Sequence, residues 1–227
     1  MNLNETLHSK FNTQIENAYI IRIAGHSESE NLAARCAQSC EQVGQNYRFF
    51  DAIDGTSGGL RTPDSLKDCT YLKWLKVMDH ELSVTEVACA LSHFALWVRC
   101  LELDRPIVIL EHDAVMVKAY TDFQAYNQIV YLGGAEQVKG WPVLSIPPHA
   151  TLNPNYHFIC RAHAYAIDPA VAKNLVAHVI RYGIHESLDI MMRADIFPIT
   201  QMGFYAYDVG GETTIVDRKK APKGAER

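Results

Sequence analysis

The chain has no run approaching the roughly 20 apolar residues that span a bilayer. Its first 16 residues are polar, without the apolar core of a secretory signal. These absences predict a cytoplasmic protein. Cys36, Cys40, Cys69, Cys89, Cys100 and Cys160 form no CxxC pair and match no zinc-ligand spacing. Free, mostly buried thiols are therefore expected, not disulfides. Positive charge is also scarce: the formal net charge is −5, so no nucleic-acid partner is expected. The one basic run, Arg218-Lys219-Lys220 with Lys223 and Arg227, reads as a solvated end. It is the only candidate for peripheral membrane contact. Internal repeats, low-complexity tracts and linkers are missing, and nothing fixes an oligomeric state.

What remains is 48% hydrophobic and 21% charged, sufficient for one large core. The chain divides into a polar lead-in (1–16), a single domain (17–215) and the basic tail (216–227). Ala18 to Ile23 reads as a strand, followed by a helix from Ser27 or Ser29 to about Val43 and a second strand over Tyr47–Asp51. Residues 60–80 hold a loop and a short helical piece. Ser83, with Glu86 three residues on, has the pattern of a capping box opening a strong helix. Arg105-Pro106 ends that helix before the apolar strand Ile107-Val108-Ile109-Leu110. Further on, the pattern predicts a helix over Tyr120–Gln128, strands over Ile129–Leu132, Tyr156–Cys160 and His163–Ile167, a helix over Pro169–Ile180, a short one over Glu186–Met192 and a strand over Phe197–Met202. Strand–helix–strand order predicts an α/β fold, a mostly parallel twisted sheet flanked by helices.

The buried strand runs into Glu111-His112-Asp113 and resumes at Ala114. Ligands of open α/β sheets bind beyond such strand ends. With extended backbone, period-two alternation would put Glu111 and Asp113 on one side. Two carboxylates there suit Mg²⁺ or Mn²⁺, which would neutralise a departing diphosphate. A solvated turn is the plain alternative.

Several segments together resemble glycosyltransferase family 25, the bacterial lipooligosaccharide galactosyltransferases and their collagen-modifying relatives. They are Phe50-Asp51-Ala52-Ile53-Asp54-Gly55, the block from Leu82 through Glu86 to Ser92-His93, the triplet Ile109-Leu110-Glu111-His112-Asp113, and Ala164-Tyr165-Ala166-Ile167 followed by Leu188-Asp189. The resemblance spans roughly residues 17–215. It implies a GT-A-like (Rossmann-type) fold, a UDP-sugar donor (commonly UDP-galactose), a saccharide acceptor and transfer with inversion. It assigns Asp113 to the metal and Glu111 to the metal or the nucleotide ribose. Asp54, Glu86 and His93 fall in matching blocks, and Arg22 stands where the family's first strand ends, within reach of phosphate. The chain departs from the family where His112 replaces an acid.

An inverting transfer needs a base for the acceptor hydroxyl. Asp189 falls on the family's later acidic position, and Glu186 would share a helical face with it. Helix capping alone also accounts for Glu86, and a structural hydrogen bond for His93. Ser92 and His93 diverge by about 100° on a helix and form no hydrolase pair. The segment 135–150 reads as an acceptor-side flap, with Trp141 or Tyr156 able to stack on a sugar. Two other readings stay open: a non-catalytic nucleotide-sugar binder and a metal-assisted hydrolase.

Overall fold

The computed structural model describes residues 14–15, 17–78, 82–123, 125–133, 148–149, 153–157, 159 and 162–209. Nearly all of the lead-in, Trp141, most of the expected flap and the basic tail lie outside these residues.

The chain opens with β1 (Ala18–Arg22), α1 (Ser27–Val43) and β2 (Tyr47–Asp51). His26 caps α1 by accepting from Ser29 N, and Gly44, at φ 74°, closes it in the left-handed region. Two short 3₁₀ turns, Asp64–Leu66 and Thr70–Trp74, precede α2 (Val84–Leu103). The expected capping box is present. Ser83 Oγ accepts from Glu86 N at 3.2 Å, and Glu86 Oε2 accepts from Ser83 N at 2.9 Å. α2 is long and apolar enough to cross a bilayer, yet 72% of its apolar window is buried inside the fold. It is a core helix.

β3 (Ile107–Leu110) and β4 (Ala114–Met116) follow, then β5 (Ile129–Gly133), the small pair β6 (Pro148–His149) and β7 (Asn153–His157), and β8 (Ala164–Ile167). The chain finishes with α3 (Pro169–Tyr182), α4 (Leu188–Met191) and β9 (Ile199–Asp208). No helix forms among the described residues of 120–128. Instead Tyr120 N donates to Gln45 Oε1, Phe123 is buried, and Asn127 adopts φ 54°. Asn127 N donates to Asp168 Oδ2, the same carboxylate that caps α3. A left-handed residue so anchored stops a helix.

Seven strands form one sheet in the order β2-β1-β3-β8-β5-β9-β4. It is mixed, not mostly parallel. β1–β2, β1–β3 and β5–β9 run parallel, whereas β3–β8, β5–β8 and β4–β9 run antiparallel. Two strands run reversed: β8, between β3 and β5, and β4, at the far edge beside β9. Alternate residues feed two cores. Ile107, Ile109, Tyr165 and Ile167 pack with α2 and α3, while Val108, Leu110, Ala164 and Ala166 pack on the other face with α1. Helices cover both faces.

The sheet must also curl. β3 and β4 stand four strand spacings apart, about 19 Å if flat. Only Glu111, His112 and Asp113 join Leu110 to Ala114, a reach of at most ~14 Å. The far edge therefore bends back toward the middle, and the triplet sits in the seam.

Candidate active site

The triplet is a turn, not extended strand. Ala114 N donates to Glu111 O at 3.1 Å, and Glu111 N donates to His163 O at 2.9 Å. Strand alternation therefore does not bring Glu111 and Asp113 together. The turn does, and both line one cleft enclosing about 580 Å³ of space open to solvent. Its other walls are Ile21 on β1 and Ile23 just after it, residues of the 52–56 loop, His112, and Thr85, Ala88, Cys89 and His93 on α2. Gly55 lets that loop press on the first turn of α2: a Cβ there would lie 2.7 Å from Val84 O.

Two further acids act on this turn. The charges of Asp189, at the start of α4, and Asp208, at the end of β9, bear on Glu111. Asp208 also bears on Asp113, and Val209 N donates to Asp113 O at 3.1 Å, tying the two strand ends together. Burial, then Asp189 and Asp208, push Glu111 up to about 8. Burial, then Glu111 and Asp208, push Asp113 up to about 8. Asp113 Oδ1 is buried without a hydrogen-bond partner among the described residues. Arg35 lowers Asp113, but burial and the two acids outweigh it. Such a site fits a hard divalent cation held by oxygen.

His112 turns toward the start of α1, where its Nδ1 lies 3.0 Å from Ser29 Oγ. Burial, then His26 and Arg35, hold it down at about 4, so it is a neutral strut between turn and helix. His93, 1% exposed, has its pKa pushed down to about 3 by burial. Its Nδ1 lies 2.7 Å from Tyr165 Oη, and its Nε2 lies 3.3 Å from Glu111 Oε1. Cys89 Sγ is 3.9 Å from the same Glu111 oxygen. Ligand atoms of Cys89, His93 and Glu111 all fall within 4.8 Å of one another, close enough for a metal on distance alone. Burial, then Glu111, Asp189 and Asp113, raise the Cys89 thiol and keep it protonated.

The remaining expected residues divide. Asp189 is held by Ser187 Oγ at 2.8 Å and its neighbour Ile190 N at 3.0 Å. Glu186 precedes α4 and faces Arg193 at 3.8 Å, so the two acids share no helical face. Arg22 pairs with Asp51 at 2.9 Å and lies over the Phe49 ring, away from the cleft walls. Asp54 fastens its own loop, accepting from Thr56 N and Thr56 Oγ1. Burial raises its pKa, and the Thr56 hydrogen bonds together with the charges of Arg61 and His26 outweigh that and lower it. Glu86 is occupied with the α2 cap. Asp208 escaped the sequence reading, because its role comes from the curl of the sheet.

A family model described as glycosyltransferase family 25 (LPS biosynthesis protein) matches residues 17–139, more than half of the chain. The chain belongs to glycosyltransferase family 25. The matched stretch holds both the Glu86–His93 block and the acidic turn, so family 25 membership and the cleft rest on the same residues. Asp189 and Asp208 lie beyond it. No curated protein matches the chain.

Proposed function

We propose that this family 25 protein transfers a sugar, galactose by the family resemblance, from a UDP-sugar to a saccharide hydroxyl with inversion, at the cleft around Glu111 and Asp113. The observation that carries the metal-dependent reading is the buried, unpartnered Asp113 oxygen amid like charges. A diphosphate would be repelled from so acidic a cleft unless a cation came with it.

Asp113 would hold a divalent cation, with Asp208 beside it. Bound there, a cation supplies Lewis-acid neutralisation of the charge developing on the diphosphate. Asp189 takes the acceptor proton as that hydroxyl oxygen bonds to the anomeric carbon, while the bond from that carbon to the diphosphate breaks and UDP departs. The hydrogen bonds on Asp189 Oδ1 fix the carboxylate's orientation. Glu111 accepts from a hydroxyl of the donor. The acceptor in this reading is a saccharide met at the cytoplasmic face of a membrane, and the family's description as LPS biosynthesis proteins supports the saccharide.

The test is UDP release from UDP-galactose with Mn²⁺, with and without a saccharide acceptor. Release that needs acceptor and collapses in Asp189→Asn supports the transfer. Tight binding with no turnover in any acceptor would instead make the protein a nucleotide-sugar binder. Rapid release to water would make it a hydrolase.

A further inference from the structure

Trp97, Tyr165 and His93 form a hydrogen-bonded chain beneath the cleft, and counting its protons decides which nitrogen of His93 carries hydrogen. His93 and Trp97 stand one turn apart on α2, and Tyr165 faces them from β8. All three are at most 1% exposed. Trp97 Nε1 donates to Tyr165 Oη at 2.9 Å, since an indole nitrogen can only donate. Tyr165 Oη lies 2.7 Å from His93 Nδ1, with the two rings stacked at 12°.

If His93 Nδ1 carried the proton, Tyr165 Oη would accept twice. Its own hydrogen would then point into the core with no partner among the described residues. If Nδ1 is bare, Tyr165 donates to it and every proton in the chain is used. The hydrogen of the imidazole then sits on Nε2. His93 lines the cleft, and that atom, closed off from solvent, lies 3.3 Å from Glu111 Oε1 but out of line for a hydrogen bond, with no other partner among the described residues.

We propose that Trp97 and Tyr165 are positioning residues that lock His93 as a neutral Nε2–H donor. That N–H and the Glu111 carboxylate make a donor–acceptor pair for two hydroxyls of a nucleotide-sugar, on its ribose or its hexose. The hydroxyl-binding half rests on the transferase reading above; the locked tautomer does not. The same proton count argues against a metal centre at Cys89, His93 and Glu111, because a coordinating Nε2 must offer a lone pair.

Imidazole ¹⁵N–¹H correlation spectra of the full-length, ligand-free protein test the lock directly. The expected result is a single neutral Nε2–H tautomer for His93, giving way to mixed tautomers in Tyr165→Phe. A wild-type Nδ1–H tautomer overturns the proposal, as does a cobalt–thiolate absorption band on adding Co²⁺ that disappears in Cys89→Ser. If Tyr165→Phe fails to fold, the wild-type spectrum alone decides. For the hydroxyl pair, calorimetry with UDP-galactose and Mn²⁺ should show Tyr165→Phe weakening the donor about tenfold, with Mn²⁺ affinity unchanged. Equal loss of both affinities would reduce Tyr165 to a structural residue. Absence of any UDP-galactose binding in the wild type, with the tautomer as expected, would sink the transferase reading and leave the lock standing.

Discussion

Burial and two neighbouring acids disfavour the charge on Asp113 that a cation would need, which sets stability against function at one residue. Asp113→Asn should abolish Mn²⁺ binding by calorimetry yet raise the metal-free melting temperature at pH 8. A gain of about 1 kcal/mol, roughly 2–4 °C for a domain of this size, is expected. An unchanged Mn²⁺ affinity would remove Asp113 from the ligand set. The pH dependence follows with its sign. The unfolded chain sheds the Glu111 and Asp113 protons near their ordinary 4.5 and 3.8, whereas the fold keeps them to about 8. The fold thus binds more protons over that window and loses stability as pH rises through it. His93 and His112 act oppositely: unfolded they protonate near 6.5, folded only near 3 and 4. Stability that is full above 6.5 is then lost as pH falls. The two trends oppose each other between about 4 and 6.5, and the acids act alone above that. The metal-free melting temperature should therefore fall from pH 6.5 to 8, and Mn²⁺ should flatten the fall. A flat metal-free profile would contradict the carboxylate assignment. At this scale the sequence pointed to the triplet and to Asp189, which the fold does bring to bear on one another. It was silent on His112 and Arg22, whose partners Ser29 and Asp51 are chosen by packing.

At the scale of elements, α2 does two jobs, one at its start and one along its middle turns. Its capping box fixes the start, and its second, third and fourth turns present Cys89, His93 and Trp97. Ser83→Ala should cost about 1 kcal/mol in denaturant unfolding while leaving UDP-galactose affinity unchanged. A loss of affinity out of proportion to stability would return Glu86 to the binding site. α2 and β3 were readable because their signals are local: a cap with an apolar stripe, and four apolar residues in a row. The direction of β8 was not. Ala164-Tyr165-Ala166-Ile167 is buried on both faces, and such a run has the same pattern whichever way it is laid into a sheet. Residues 120–128 misled for a related reason. Their composition permits a helix, but Asn127 is claimed by Asp168, an interaction across 41 residues that no local window contains.

For the whole molecule, the matched stretch 17–139 is not a folding unit. It lacks β8 and β9, which stand between β3 and β4 in the sheet, so the paired edges of β3, β5 and β4 would be bared. Expressed alone, residues 17–139 should aggregate or lack a cooperative thermal transition, as judged by circular dichroism; a soluble, cooperatively melting fragment would refute the interleaved topology. The curl has a consequence for how this architecture can vary. The turn Glu111–Asp113 bridges the middle of the sheet and its far edge, so the number of strands between them works as a ruler for the site. One strand more or fewer between β3 and β4 would change the gap the triplet must cross, and so the placement of Glu111, at the end of β3, against Asp113 and Asp208 at the β4–β9 edge. Lineages descended from such a chain are free to lengthen or rewrite connections outside that circuit. Inside it, the count of strands is fixed by the span that three residues can cross.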